Sequence, residues 1–302
     1  MIFPGRVRDY NREMSPTEFQ LETLGIVGVG LIGGSIAAAA RKRGLAQRVI
    51  GYGRNRQRLE QARSRGLIDD IAPRAEDLGS CRLIVVCTPV DRLGSDLREM
   101  LTLSSPSTLV TDVGSVKGPV VDQVIASAPD PHRYIPAHPI AGSHLQGFEH
   151  ADADLCADRL CLLTPLPQNA PADIALVSDF WKAIGMRVST MSVEEHDRVL
   201  ALTSHLPHLA ASAVAAMIEE SLLEYAGTGY RDTTRVAAGD PDLWTAIFTE
   251  NAVALARSTR QLIQTLDSFL SALESGNHAD IRDLLQQGRQ RRSHFHREQS
   301  DE

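Results

Sequence analysis

The chain has 302 residues, 43% of them hydrophobic and 23% charged, and a formal net charge of −7 at pH 7. That composition is typical of a soluble globular protein of two domains, and it argues against general nucleic-acid binding. No apolar run is clean and long enough for a membrane span, no secretory leader opens the chain, and Cys81, Cys87, Cys156 and Cys161 lack disulfide-framework or zinc spacing, so the expectation is a cytoplasmic protein with reduced thiols and no metal.

Residues 1–22 are polar and without period, and predict a flexible tail. The run Leu24-Gly25-Ile26-Val27 predicts a strand, and Gly34 to Ala40 the start of a helix. Between them lies Gly28-Val29-Gly30-Leu31-Ile32-Gly33, a G-x-G-x-x-G pattern in the strand–turn–helix setting of a dinucleotide site. Gly28 permits the tight turn, Gly30 the close approach of a pyrophosphate, and Gly33 close helix–strand packing. Leu31 and Ile32 open the helix, whose free N–H groups face the phosphates.

Arg48 to Tyr52 predicts a second strand and Asn55 to Ser64 a helix. Leu83 to Thr88 is a continuous apolar run, as a buried parallel strand requires. Thr88 and Pro89 close that strand and are assigned to the cofactor site, since ligands of open α/β sheets sit beyond the strands' carboxyl ends. Thr108 to Asp112, Tyr134 to Ala137 and Leu160 to Leu163 predict further strands, with a helix from Ala172 to Ile184. The alternation defines an N-terminal α/β domain, residues 23–191, with a doubly wound Rossmann-type sheet. After Met191 the texture becomes Ala- and Leu-rich with helical period, opened by the capping box Ser192-Val193-Glu194-Glu195. Residues 192–292 therefore predict an all-helical domain and 293–302 a C-terminal tail. The long apolar helices expose more hydrophobic face than a small domain can bury, which predicts a homodimer formed through that domain.

An NAD site has an acidic residue about twenty positions beyond the glycines. Here the second strand runs into Gly53-Arg54-Asn55-Arg56. With no carboxylate, and with Arg54 and Arg56 able to grip a 2′-phosphate, the sequence favours NADP over NAD. The alternative is that these arginines decorate the first turn of a helix capped by Asn55.

Four further segments carry chemistry: Asp112 to Lys117 past a sheet strand; His138 to His144 past the Tyr134 strand; Thr203 to His208, where Ser204 and His208 share a helix face; and Tyr230 to Arg235, followed by Asp240 to Trp244. Pro207 removes an N–H, so the helix is expected to bend there. His196 and His205 read as packing or surface histidines, His132 and His150 as surface residues, and Asp232 as a structural partner of a nearby arginine.

Together these segments resemble the prephenate dehydrogenases and the wider prephenate/arogenate (cyclohexadienyl) dehydrogenase group. The marks are Gly-Val-Gly-Leu-Ile-Gly-Gly-Ser at 28–35, Gly-Ser-Val-Lys at 114–117, His-Pro-Ile-Ala-Gly at 138–142, Ser-His-Leu-Pro-His at 204–208 and Arg-Asp-Thr-Thr-Arg at 231–235. The resemblance spans about residues 24 to 290. It implies oxidative decarboxylation of prephenate to 4-hydroxyphenylpyruvate with hydride transfer to NAD(P), in tyrosine biosynthesis. It makes His138 the base for the ring hydroxyl and Ser115 its hydrogen-bonding companion. Arg235 becomes the carboxylate-binding group, with His208, Ser204, His144 and Trp244 around the substrate. His144 stands where several relatives carry an acidic group that would welcome arogenate's ammonium, which tilts the expectation to prephenate and leaves dual use open.

Two rivals remain. Hydroxyacid and imine reductases share the two-domain plan but usually place a catalytic Lys or Asp in the helical domain; residues 192–302 contain no lysine. A non-catalytic NADP-binding sensor needs no base, and so leaves the grouping of His138, Ser115 and Arg235 without a purpose.

Overall fold

The computed structural model describes residues 19–142 and 145–300. Its elements run β1 (Leu21–Val27), α1 (Leu31–Lys42), β2 (Ala46–Tyr52), α2 (Arg56–Ser64), β3 (Asp70–Ile71), β4 (Leu83–Val86), α3 (Val90–Leu103), β5 (Leu109–Asp112), α4 (Gly118–Ser127), β6 (Tyr134–Ile135), β7 (Ala137–Pro139), β8 (Leu160–Leu163), α5 (Pro171–Ala183) and β9 (Arg187–Thr190). Helices follow: α6 (Val193–Leu200), a π-helical turn (Ala201–His205), α7 (Leu206–Met217), α8 (Thr228–Thr234), a 3₁₀ turn (Arg235–Ala238), α9 (Pro241–Glu250), α10 (Ala252–Glu274) and α11 (His278–Ser300).

The first sheet has strand order β3-β2-β1-β4-β5-β6, all parallel. The order reverses between β1 and β4, and a doubly wound sheet opens its ligand crevice at that switch. Leu83-Ile84-Val85-Val86 of β4 is wholly buried because helices cover both faces. On one face α3 presents Val90, Leu93, Leu97, Met100 and Leu101, a helical stripe with every member buried. The other face holds α1 and α5, with Phe180 against Trp181.

The predicted strand from Tyr134 to Ala137 is two strands. Pro136 lacks the N–H a ladder needs, so the chain leaves the first sheet at Ile135 and pairs next in a second one, β7-β8-β9. There Ala137, His138 and Pro139 lie antiparallel to Leu163, Leu162 and Cys161. His138 thus stands on a strand, not in the loop after one.

By packing, the chain divides into two compact units with the break between Ala252 and Val253, well past the change of texture at residue 191. The cause is that α6–α9 pack on the sheet region, α9 against α3 and α6 against α4, with buried polar contacts described below. Two other expectations shift: β1 begins at Leu21, inside the expected tail, and α11 continues to Ser300, past residue 292. In the second unit, α10 leaves Ile263, Leu266, Leu270 and Leu273 exposed. The run Val193–Met217 is long and apolar enough by length and composition to cross a membrane, which the sequence reading had not allowed. The polar residues His196, Asp197, His205 and His208 on it are buried.

Candidate active site

The cofactor end follows from backbone geometry. Gly28 has φ +87°, a conformation L side chains rarely adopt, and its N–H donates to the Tyr52 carbonyl at 2.8 Å. A Cβ on Gly33 would lie 2.3 Å from the Gly28 carbonyl oxygen, so α1 sits against the loop as only glycine allows. Around Gly30, by contrast, a Cβ would meet nothing within 4 Å, a space open to a ligand. The amides of Leu31, Ile32 and Gly33 fall in the first turn of α1, which no side chain caps. Beside the loop, Thr88 Oγ1 is buried without a hydrogen-bond partner among the described residues, and Pro89 directly precedes α3. An open glycine cradle, uncapped helix amides and an orphan hydroxyl fit a dinucleotide's pyrophosphate. At the adenosine side, Asn55 does cap α2, its Oδ1 accepting from Arg58 N at 3.0 Å. Arg56 pairs with Glu60 at 3.4 Å, while Arg54 is exposed and has no acidic partner among the described residues.

Two buried carboxylates build the chemical end. Asp112, at the end of β5, accepts from Tyr134 OH at 2.9 Å and Ala137 N at 3.0 Å through one oxygen. Its other oxygen accepts from Gly114 N at 2.8 Å and from Lys117 Nζ. It therefore fixes the Ser115 loop against the strand that carries His138. Asp197, on α6, accepts from Lys117 N at 2.9 Å and Gly118 N at 2.7 Å, which ties α6 to the N-terminus of α4. The Lys117 side chain is fully buried and pairs with Asp112.

Asp197 Oδ1 also meets His196 Nδ1 at 2.8 Å, and His196 Nε2 meets His138 Nδ1 at 2.9 Å. The carboxylate can only accept, so His196 carries its proton on Nδ1 and presents a lone pair at Nε2. His138 Nδ1–H must then donate, which leaves the lone pair of His138 Nε2 outward. That nitrogen has no hydrogen-bond partner among the described residues. Burial first, then the facing His196, Lys117 and His205, holds the His138 imidazole well below its ordinary range, and it is neutral. Burial likewise lowers His196. Burial works against the Asp197 carboxylate, but hydrogen bonds from His196 and the Lys117 and Gly118 amides outweigh it and hold Asp197 below its usual range.

Ser192 Oγ accepts from Glu195 N at 3.1 Å, but Glu195 turns to Arg198, so only half of the capping box forms. Farther along, Leu206 N bonds the Ala201 carbonyl five residues back. The π turn thus falls directly before Pro207, which has no N–H to give. It also alters the spacing of Ser204 and His208 from the simple four-residue register. Ser204 is half-buried in that turn, whereas His208 is buried and stacks on Trp244, ring centroids 3.6 Å apart at 23°. His205 is buried too, its Nδ1 accepting from Asn251 Nδ2 at 3.1 Å; the same amide donates to the Asp197 carbonyl at 2.9 Å. Arg235 is exposed at the start of the 3₁₀ turn that packs on α7, with no acidic partner among the described residues. Asp232 pairs instead with Arg231 at 3.3 Å. Ser115 is half-buried in the β5–α4 loop and makes no side-chain hydrogen bond among the described residues. His144 lies outside the described residues.

The structure therefore joins His138 to two residues the sequence reading undervalued. The sequence predicts His196 as a packing or surface histidine and carries no mark at Asp197. His138 and Arg235 make no direct contact; the helical run 193–217 links them, carrying His196 at one end and the packing surface for the Arg235 turn at the other.

Comparison with known proteins identifies the family. The family described as "Prephenate dehydrogenase, nucleotide-binding domain" matches residues 36–190, and "Prephenate dehydrogenase, dimerization domain" matches 192–287. A cyclohexadienyl dehydrogenase of Zymomonas mobilis is 34% identical over 260 residues, covering 83% of this chain and 88% of its own. A prephenate dehydrogenase of Bacillus subtilis is 30% identical over 84% of this chain and 70% of its own. Among solved structures, the Aquifex aeolicus prephenate dehydrogenase bound to hydroxyphenyl propionate and NAD+ superposes with TM-score 0.85 at 28% identity, covering 92% of this chain and 99% of its own. A Synechocystis arogenate dehydrogenase gives TM-score 0.80 at 30% identity, covering 90% and 99%. The chain belongs to the prephenate dehydrogenase family.

Proposed function

We propose that this protein oxidatively decarboxylates prephenate to 4-hydroxyphenylpyruvate, with His138 as the base. The observation that carries the reading is the contact of His138 Nδ1 with His196 and of His196 with Asp197, which makes Nε2 the nitrogen of His138 left to accept a proton. A bound nicotinamide dinucleotide supplies the hydride acceptor. His138 takes the proton of the ring 4-hydroxyl as the ring is oxidised. The ring carboxylate leaves as CO2, and the proton returns to the phenolic oxygen as the ring becomes aromatic. Ser115 is the hydrogen-bonding companion of that hydroxyl. Arg235, exposed and without a carboxylate of its own, binds one from the substrate, where its planar fork gives orientation as well as affinity. The His208–Trp244 stack and Ser204 shape the pocket around the side chain.

Three finer readings go with it. The unpaired Arg54 favours NADP over NAD. The exposed apolar face of α10 and the dimerization-domain match support a homodimer through the helical region. A cytoplasmic location suits the four free thiols, Cys81 pushed up to about 12 and Cys156 to about 11 by burial. Arogenate is the second reading, favoured by the arogenate and cyclohexadienyl dehydrogenases among the relatives. Steady-state assays of prephenate and arogenate, each with NAD+ and NADP+, test the substrate and cofactor readings; turnover with neither substrate rejects the proposal.

A further inference from the structure

We propose that the base is a pair of imidazoles, and that the proton taken from the ring hydroxyl comes to rest on His196, not on His138. This rests on the function proposed above. His138 is a catalytic residue in that reading; His196 is a positioning residue that acts through it and stores the proton.

The argument is the placement of charge. Among the described residues no carboxylate is hydrogen-bonded to the His138 ring, and the groups that face it are His196, Lys117 and His205. His196 lies one step deeper and has a carboxylate on its far nitrogen, Asp197 Oδ1 at 2.8 Å. The groups facing His196 are His138 from β7, Asp197 on its own helix, Lys117 and Asp112 from the end of β5 and the loop beyond, and His205 from the π turn. Among them the Lys117 charge is matched by Asp112. Asp197 is left as the counter-charge for whichever imidazole becomes cationic, and its carboxylate, besides accepting from the Lys117 and Gly118 amides, is hydrogen-bonded to the ring of His196 and not to that of His138. A cation on His196 is thus paired, and one on His138 is a buried charge with no carboxylate hydrogen-bonded to its ring among the described residues, a placement of high cost.

The step balances. The hydroxyl O–H bond breaks and an N–H bond forms at His138 Nε2. The Nδ1 proton of His138 crosses the 2.9 Å contact to His196 Nε2. His138 is left neutral as the Nε2–H tautomer, and His196 is an imidazolium against Asp197. When the bond to the ring carboxylate breaks and its electron pair restores the aromatic ring, both protons move back and the phenolic oxygen is reprotonated. The reaction releases no net proton, so a store with no path to solvent suits it. His196 is that store, with its side chain fully buried.

Two measurements on the full-length protein test the relay. The first needs no substrate: histidine-15N NMR across about pH 8 to 4, with rings assigned from His138→Asn and His196→Gln. The expected result is a neutral His138 protonated on Nδ1 at high pH, with His196 the first of the two to become cationic. A His138 that titrates first, or carries its proton on Nε2, overturns the proposal. The second is His196→Gln, whose amide oxygen still accepts from His138 Nδ1 but cannot take a proton. The expected kcat falls by about 100-fold, with both KM values within about threefold and the acid limb of the pH profile displaced. A variant with near-normal kcat and an unmoved profile reduces His196 to a prop. Absence of wild-type turnover sinks the functional reading and leaves the titration standing; a failed titration with normal turnover sinks the relay alone.

Discussion

Two alanine substitutions in the glycine loop should separate fold from cofactor. A Cβ on Gly33 would sit 2.3 Å from the Gly28 carbonyl oxygen, 3.1 Å from Ile26 Cγ2 and 3.2 Å from Cys87 Cβ. A relaxed carbon–oxygen contact is about 3.3 Å, so the overlap is about 1 Å and lies against backbone that cannot rotate aside. Relief requires α1 to withdraw from the loop. Overpacking of this kind costs about 1–3 kcal/mol, which for a domain of this size lowers Tm by roughly 2–12 °C. The same withdrawal carries the first-turn amides away from the phosphates. Loss of two charge-assisted hydrogen bonds at about 1.5–3 kcal/mol each weakens cofactor binding by at least ~100-fold. Gly30→Ala should behave differently. Its methyl meets nothing within 4 Å and the backbone at φ −102° accepts it, so only the site is filled. Its helix-start penalty is at most about 1 kcal/mol, while the methyl occupies the pyrophosphate's approach and should raise Kd by about tenfold or more. Titration calorimetry with NAD+ and NADP+, beside differential scanning calorimetry, reads both quantities. If Gly30→Ala binds cofactor as the wild type does, or Gly33→Ala leaves Tm and Kd unchanged, the loop is not the cradle described.

Other outcomes follow from the same geometry. Arg235→Ala should raise substrate KM by roughly 10- to 100-fold, for a charged hydrogen bond worth about 1.5–3 kcal/mol, with Tm nearly unchanged because the side chain is exposed; an unaltered KM would remove Arg235 from the site. Arg54→Ala should weaken NADP+ by about tenfold or more and leave NAD+ nearly as before; equal losses would mean that Arg54 touches no 2′-phosphate. Burial pushes the His205 imidazole down to about 4. Between that value and the unfolded value near ~6.5 the unfolded chain binds the extra proton. This contribution is complete above the unfolded value and is lost as pH falls toward the folded one. Calorimetry should show Tm declining across that window, and a flat or rising Tm would contradict the buried neutral histidine.

Much of the fold was legible because its signals are local. The glycine loop, the apolar β4 run and the stripe of α3 each declare themselves within a few residues. Asn55 caps α2 where the sequence placed a cap. His138 and Ser115 were legible as candidates because both follow β-strand signals in one crevice. The relay was not, because His196 meets His138 across 58 positions and no pattern of spacing joins them. A buried His-Asp pair four positions after a cap looks the same in sequence as a solvated one. The clue available was Asp197 beside His196 on the face of α6 that also carries Leu200, buried with both. Pro207 is legible in the sequence for what it breaks, and the structure replaces the loss with a π turn; Pro136, inside the predicted strand from Tyr134 to Ala137, instead marks a change of sheet.

The central claim is that His138 removes the hydroxyl proton of prephenate. The direct test is His138→Asn, assayed by nicotinamide reduction with prephenate beside cofactor Kd. The expected result is a fall in kcat of about 10²- to 10⁴-fold with cofactor affinity essentially that of the wild type. A variant that binds cofactor normally and turns over prephenate near the wild-type rate would contradict the account.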